Sequence, residues 1–227
     1  MTRSEPGASR LVAALTEANL SVAKTPAIEV ADVPGQFEPP INPGAKPDVC
    51  IVVSQHAASR YQKSPWFCPD ARHIAIGQAT LNALDCPAQL PTDPTTEGIL
   101  ELESLQGGDC CIWIVAGIGG REDLTQSLVA RGHQVHKLVL YERRAMDLVA
   151  LVPAHDDLVE VSSVTALDVL GRHFASAHER QAVTLLLPSS RIAEVAESMN
   201  FYNRQIANSA EIADVVTAAL DHLGNRS

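Results

Sequence analysis

Seven short apolar runs, "CIVV", "HIAI", "CIWIV", "HKLVLY", "LVEV", "VTLLL" and "RQIA", lie along the chain with helical patterns between most of them. Alternation of this kind builds βαβ units with parallel strands, so an α/β fold is expected. Before the first run, "ASRLVAALTEANLSVAKTP" reads as a helix with a Leu11–Leu15–Ala18 stripe, running into a strand, "AIEV". Then "PGQFEPPINPGAKP" brings Pro34, Pro39, Pro40, Pro43 and Pro47 close together. Proline fixes φ and removes a donor, so this stretch is expected to be a loop or a crossing between domains, not a helix or a central strand. The last helix is marked by Asn208 and Glu211 at N-cap and N3 spacing. Its apolar face is Ile212, Val215, Val216, Ala219, Leu220 and Leu223. Gly132 and Gly171 follow helical stretches as C′ residues do.

Length allows one large or two small domains at 227 residues. No apolar run reaches the length of a membrane span. The opening "MTRSEPGASR" lacks the apolar core of a secretory signal, so the cytoplasm is the expected location. The formal charge of −10 makes nucleic acid and anionic lipid poor partners. It also requires that any polyanionic ligand be held by a local concentration of arginine and backbone N–H. The cysteines at 50, 68, 86, 110 and 111 include no C-x-x-C pair and are expected to be reduced, mostly buried thiols. The histidines have no metal-ligand spacing, so no metal site is expected.

Two parts of the chain look alike. "IVVSQHAASRY" and "VEVSSVTALDVL" are each a strand, a serine and a helix, and Ser54 and Ser163 lie 109 residues apart. "IAIGQATLNAL" and "LLLPSSRIAEVA" share a strand, a tight turn, a hydroxyl residue and a helix, with Thr80 and Ser190 lying 110 apart. Two related lobes would explain the offsets, as would chance likeness between βα units. In each turn a strand's C-terminal end meets a helix N-terminus, where ligands of open α/β sheets bind and free N–H groups attract anions. Ser54, Thr80, Ser163, Ser189 and Ser190 are therefore candidate ligand contacts; plain helix capping is the competing role. A further turn carries Gly117, Gly119, Gly120 and Arg121. It is neither G-x-G-x-x-G, because position 122 is Glu, nor a P-loop, so a nucleotide is disfavoured. Gly119 lets backbone approach a ligand closely. Arg121 can fork onto a carboxylate or form a salt bridge across the turn.

Taken together, these segments resemble the uroporphyrinogen-III synthase family. The opening "TRSEPGASRLVAALTEANLSVAKTPAIEV" is similar to that family's T-R turn, helix and strand. "VVSQHAA", "IAIGQATLNAL" and "TTEGILELESL" resemble its T-S-x-x-A turn, V-G-x-A-T-A-x-A-L and S-E-G-L-L segments. The most specific match is "IVAGIGGREDLTQSLVARGHQVHKLVLYER", which is similar to G-x-x-G-R-x-x-L, a helix ending in R-G and a strand ending in Y-x-R. "LLLPSSRIAEVAESMNF" closes the comparison. Three departures stand out. The apolar residues usual before T-R are missing at "MTR", so that strand is expected to be weak or to begin upstream. "SSVTAL" replaces the family's T-S-G or S-P-S at Ser162 and Ser163. His56 stands where Asn or Arg is common.

The resemblance implies two flavodoxin-like lobes with parallel sheets, joined by a two-stranded antiparallel crossing. Residues 1–29 plus 145–227 would form a discontinuous lobe and 35–137 the other, with crossings at 30–34 and 138–144. It further implies a substrate, hydroxymethylbilane, with four pyrroles and eight carboxylates. This chain is cyclised with loss of water and inversion of the last ring. Such a reaction needs positioning and one modest proton donor rather than a strong nucleophile. Tyr141, at the Y-x-R position, is the candidate donor, with an aromatic plug between lobes as the bland alternative. Arg3, Arg121 and Arg191, with the turn residues, are expected to hold the carboxylates. No cofactor is implied, since nothing is oxidised and no group is imported. A monomer is the simplest expected state. The competing class is a non-catalytic two-lobed binding or regulatory module of the same fold.

Overall fold

The computed structural model describes residues 1–38, 46–119, 122–148, 151–153 and 157–224. In chain order the elements are α1 (Gly7–Glu17), β1 (Ile28–Glu38), β2 (Val49–Val52), α2 (Gln55–Tyr61), β3 (Arg72–Ala75) and α3 (Gln78–Leu81). Then come β4 (Ala88–Gln89), α4 (Thr96–Leu100), β5 (Cys111–Gly117), α5 (Asp123–Ala130) and β6 (Gln134–Ala145). The last are β7 (Leu158–Glu160), α6 (Val164–His173), α7 (Ala177–Ala182), β8 (Thr184–Leu187), α8 (Ser190–Ser198), β9 (Arg204–Ile206) and α9 (Ile212–Gly224). The chain divides into two compact units, one made of Met1–Glu29 with Arg144–Ser227 and one of Val30–Arg143. It leaves the first unit inside β1 and returns inside β6.

The Val30–Arg143 unit is built on a sheet of order β1-β6-β5-β2-β3-β4. Its ladders from β6 to β4 are parallel. β2 and β5 alternate between two buried faces. Cys50, Val52, Trp113 and Val115 pack with Ala57, Ala58 and Tyr61 of α2. Val49, Ile51, Ile112 and Ile114 pack with Ile99 of α4 and with Leu124 and Leu128 of α5. Strands covered on both sides read as unbroken apolar runs, which is why these were visible in the sequence. Each fully buried isoleucine contributes roughly 1.5–3 kcal/mol. Burial also pushes the Cys50 thiol up to about 12, so it is a protonated core group; all five cysteines are free, but Cys68, Cys86, Cys110 and Cys111 are only partly buried, contrary to expectation.

The other unit holds the parallel sheet β7-β8-β9. Leu185 and Leu187 meet α6, α8 and Phe201 on one face. Leu186 meets Leu11 and Leu15 of α1, and Val215, Ala218 and Ala219 of α9, on the other. Both sheets thus continue an apolar strand into a serine-capped helix at the first turn. Ser54 accepts from the Ala57 N–H and Ser163 from the Ala166 N–H.

Several expectations change. β1 includes the crossing expected at 30–34 and runs beyond it to Glu38; as the outermost strand of its sheet it tolerates Pro34, which has no donor to offer. Pro39, Pro40 and Pro43 lie outside the described residues. The second turn repeat is out of step: Gly77 and Ser189 are the N-caps, so Thr80 sits inside α3 whereas Ser190 opens α8. α9 starts after Glu211, whose carbonyl accepts from Val215, and Ser209 Oγ accepts from the Glu211 N–H and donates to Asp214. Asn208 therefore lies too early to cap it. The reciprocal Ser–Glu box occurs instead at Ser176 and Glu179 of α7. Leu220 is 42% exposed, outside the buried face. Gly132 does end α5 with φ +90°, but Gly171 lies within α6, where a Cβ would strike Met199 Cε. Among the described residues no helix is long and apolar enough to cross a membrane, and no cluster of metal-ligating side chains occurs.

Candidate functional site

In the Val30–Arg143 unit the chain proceeds from β2 outward to β3 and β4, then crosses back to β5 and on to β6. Successive connections leave β2 and β5 on opposite sides, and the gap between their carboxyl ends is where such a sheet offers a crevice. A cavity of about 400 Å³ opens there. Val53 and Ser54 line it after β2, Ile76 after β3, and Ala116 to Gly119 at the end of β5.

Tyr141 enters this cavity because of an irregularity in β6. Ala116 pairs with Val139 but Gly117 pairs with Tyr141, so Leu140 is an extra residue between them. Leu140 and Tyr141, though adjacent, both pack into the α2-side core. Such a bulge re-aims a side chain, and bulges recur beside active sites. The Tyr141 ring then lies against the β5 backbone. A Cβ on Gly117 would come within 2.6 Å of its Cε2 and Cζ. Gly117 is needed for this close approach. Gly119, with φ +73°, has open space where a Cβ would be, so the turn presents bare backbone to the cavity.

Tyr141 is 5% exposed, and its hydroxyl shares a 3.0 Å hydrogen bond with Ser54 Oγ. The Arg60 guanidinium sits 5.5 Å from the ring centroid, within cation–π range. Arg60 is itself held by Asp32 and by the carbonyls of His56 and Val30. The His56 ring lies 5.7 Å from that of Tyr141. Burial, then the charges of Arg60 and Arg143, hold His56 below its ordinary range, which keeps the imidazole neutral at pH 7. The phenol is thus fixed by its hydroxyl, its face and its backing strand.

The cavity's charges come from residues that motif reading passed over. Lys137, on β6 and only 9% exposed, lines it and pairs with Glu122 at 3.2 Å. Arg143 lies exposed at its rim, and Thr95, which caps α4 through the Gly98 N–H, adds a hydroxyl. A lysine inside the apolar run "HKLVLY" is the signal that could have revealed Lys137, since a buried charge is retained only with a partner or a use.

Of the expected site residues, Tyr141, Ser54 and Gly119 meet at this cavity. Thr80 is 3% exposed within α3 and does not line it. Arg121 lies outside the described residues. The remaining candidates belong to the other unit. Ser163 and Ser189 cap α6 and α8, while Ser190 and Arg191 are exposed in the first turn of α8. Arg3 Nε donates to Glu160 Oε1 at 3.0 Å, so its charge is engaged by a buried carboxylate.

Comparison with known proteins agrees with this architecture. The family model described as uroporphyrinogen-III synthase HemD matches residues 9–217. The chain is 29% identical over 185 residues to the uroporphyrinogen-III synthase of Salmonella typhimurium, covering 72% of this chain and 75% of that protein. Its fold is similar to that of uroporphyrinogen-III synthetase from Helicobacter pylori, with a TM-score of 0.66 at 14% identity over 89% of this chain and 95% of the other. A mutant uroporphyrinogen III synthase from Thermus thermophilus superposes with a TM-score of 0.56 at 13% identity, covering 99% and 100%.

Proposed function

This chain belongs to the uroporphyrinogen-III synthase family, and from that premise we propose that it cyclises hydroxymethylbilane to uroporphyrinogen III with Tyr141 as the proton donor. The observation that carries the assignment to Tyr141 is its hydroxyl, held by Ser54 at 3.0 Å in a cavity at the carboxyl ends of β2 and β5. Ser54 Oγ already accepts from the Ala57 N–H. Its own hydrogen is free to donate to the phenol oxygen, which leaves the Tyr141 proton for the substrate. Transfer of that proton to the terminal hydroxyl of the bilane releases water and leaves a cationic azafulvene. Attack by the substituted carbon of the last ring, fragmentation of the spiro intermediate and reclosure invert that ring.

The protein's task is to hold this geometry. Orientation of reacting ends supplies several kcal/mol of barrier lowering without covalent catalysis, on the order of 7–11 kcal/mol in favourable systems. The acid arms are held by Lys137, Arg143, Thr95 and the bare backbone at Gly119. Arg3, Arg121, Ser163, Ser189, Ser190 and Arg191 are the further proposed contacts, and the two compact units act as the lobes of the enzyme. The substrate is a small molecule, and the reaction uses no cofactor. The test is incubation with freshly generated hydroxymethylbilane and separation of the uroporphyrinogen isomers. The type III isomer is expected to dominate. Only the type I isomer, which forms spontaneously, would overturn the proposal and leave a binding module of the same fold.

A further inference from the structure

We propose that Lys137 is a specificity residue that takes one substrate carboxylate in exchange for Glu122, so that the Lys137–Glu122 pair is a resting latch. This rests on the reading of the cavity as the substrate site. The two partners of this ion pair are unequal. The Lys137 side chain is 11% exposed and rises from the interior of β6, opposite Ile114 of β5. The Glu122 side chain is 55% exposed and stands just before α5. An ammonium so desolvated must keep an anionic partner, because an unpaired buried charge is strongly disfavoured. The exposed carboxylate is bound by the same contact but regains water when it leaves, and exposed partners gain little from such pairing. The pair is therefore arranged to change its anion, not to lose it.

The surroundings favour that exchange. Lys137 lines the cavity that holds Tyr141, whereas Glu122 does not. Arg143 at the rim adds a second positive charge, while Glu97 of α4 presents a carboxylate to the same cavity. An acid arm is thereby directed toward β6 and away from α4. In a protein of net charge −10 this gives one polyanion a neutralised place without a permanently bare cation. An anion of the wrong length finds Lys137 already occupied.

Steady-state kinetics with isomer analysis on Lys137→Gln, Lys137→Arg and Glu122→Gln tests the exchange. Removal of the ammonium is expected to raise KM about tenfold or more with kcat within about twofold, the loss typical of a charge-assisted hydrogen bond. Arginine is expected to recover most of that loss. Glu122→Gln removes the competitor and is expected to lower KM about two- to threefold. The two neutralising variants thus move KM in opposite directions, which a merely structural ion pair would not do. If both raise KM, or neither moves it, while the wild type makes the type III isomer, the latch is wrong and the function stands. If the wild type makes only type I, the latch falls together with the function. Glu122→Gln leaves the Lys137 ammonium without its anion, so thermal unfolding is run beside the kinetics: a destabilised Glu122→Gln is expected to be restored by added hydroxymethylbilane, and no restoration would count against the exchange.

Discussion

Gly117→Ala adds a single methyl group beneath Tyr141. That methyl would lie 2.6 Å from Cε2 and Cζ and 3.0 Å from Cδ2, whereas ordinary contact begins at 3.4 Å. The ring must therefore retreat by about 0.8 Å, or β5 and β6 must separate by as much, since repulsion inside contact distance is steep. Overpacking of this kind costs about 1–3 kcal/mol of stability. For a chain of this length that lowers Tm by roughly 2–12 °C. The same shift breaks the 3.0 Å contact with Ser54 Oγ and moves the phenol off its position. Misplacing the hydroxyl costs no more than deleting it, so kcat is expected to fall several-fold, toward the rate of Tyr141→Phe, with KM little changed. The assay is turnover of freshly generated hydroxymethylbilane, with thermal unfolding measured on the same samples. The control is a double-mutant cycle. In a Tyr141→Ala background the methyl has room, so Gly117→Ala is expected to cost little further activity or stability. Full activity in Gly117→Ala, or the same loss in both backgrounds, would refute the claim that this glycine exists to seat the ring.

Ser54→Ala removes both the N-cap of α2 and the partner of the Tyr141 hydroxyl. A stability loss of about 1 kcal/mol is expected by denaturant unfolding, together with a several-fold lower kcat. Ser163→Ala, the matching cap of α6, is expected to cost similar stability but less rate. His56 gives a pH dependence with a definite sign. Its folded-state pKa is lowered, chiefly by burial, so the unfolded chain binds the proton more tightly. The stability from neutral His56 is present above the unfolded value near 6.5 and is lost as pH falls through the lower folded value. Thermal unfolding from pH 7.5 to 5 is expected to show a smaller drop for His56→Asn than for the wild type. An equal drop would mean that His56 does not titrate in this way.

The strands were legible because sheets covered on both faces need apolar residues at every position. "CIVV" and "VTLLL" could hardly be anything else. What failed depended on partners distant in sequence. Gly171 looks like a helix end until Met199 is seen to need its missing side chain. Thr80 matches Ser190 by offset, yet the turn preceding it is two residues out of step, which buries it. The Tyr141 position was reached through family likeness, and the bulge that aims it depends on pairing between β5 and β6 that no local pattern encodes. Lys137 was missed for the opposite reason. Its neighbours signalled a strand so clearly that the one charge within it passed as ordinary.

A single measurement bears most directly on Tyr141 as proton donor: single-turnover conversion of hydroxymethylbilane by wild type and Tyr141→Phe, with the type III and type I isomers counted separately. Phenylalanine keeps the ring on Gly117 and under Arg60 and removes only the hydroxyl. The account predicts a folded variant whose type III rate falls several-fold or more, with the slow spontaneous type I product taking a larger share. A Tyr141→Phe protein that forms the type III isomer at the wild-type rate would contradict it.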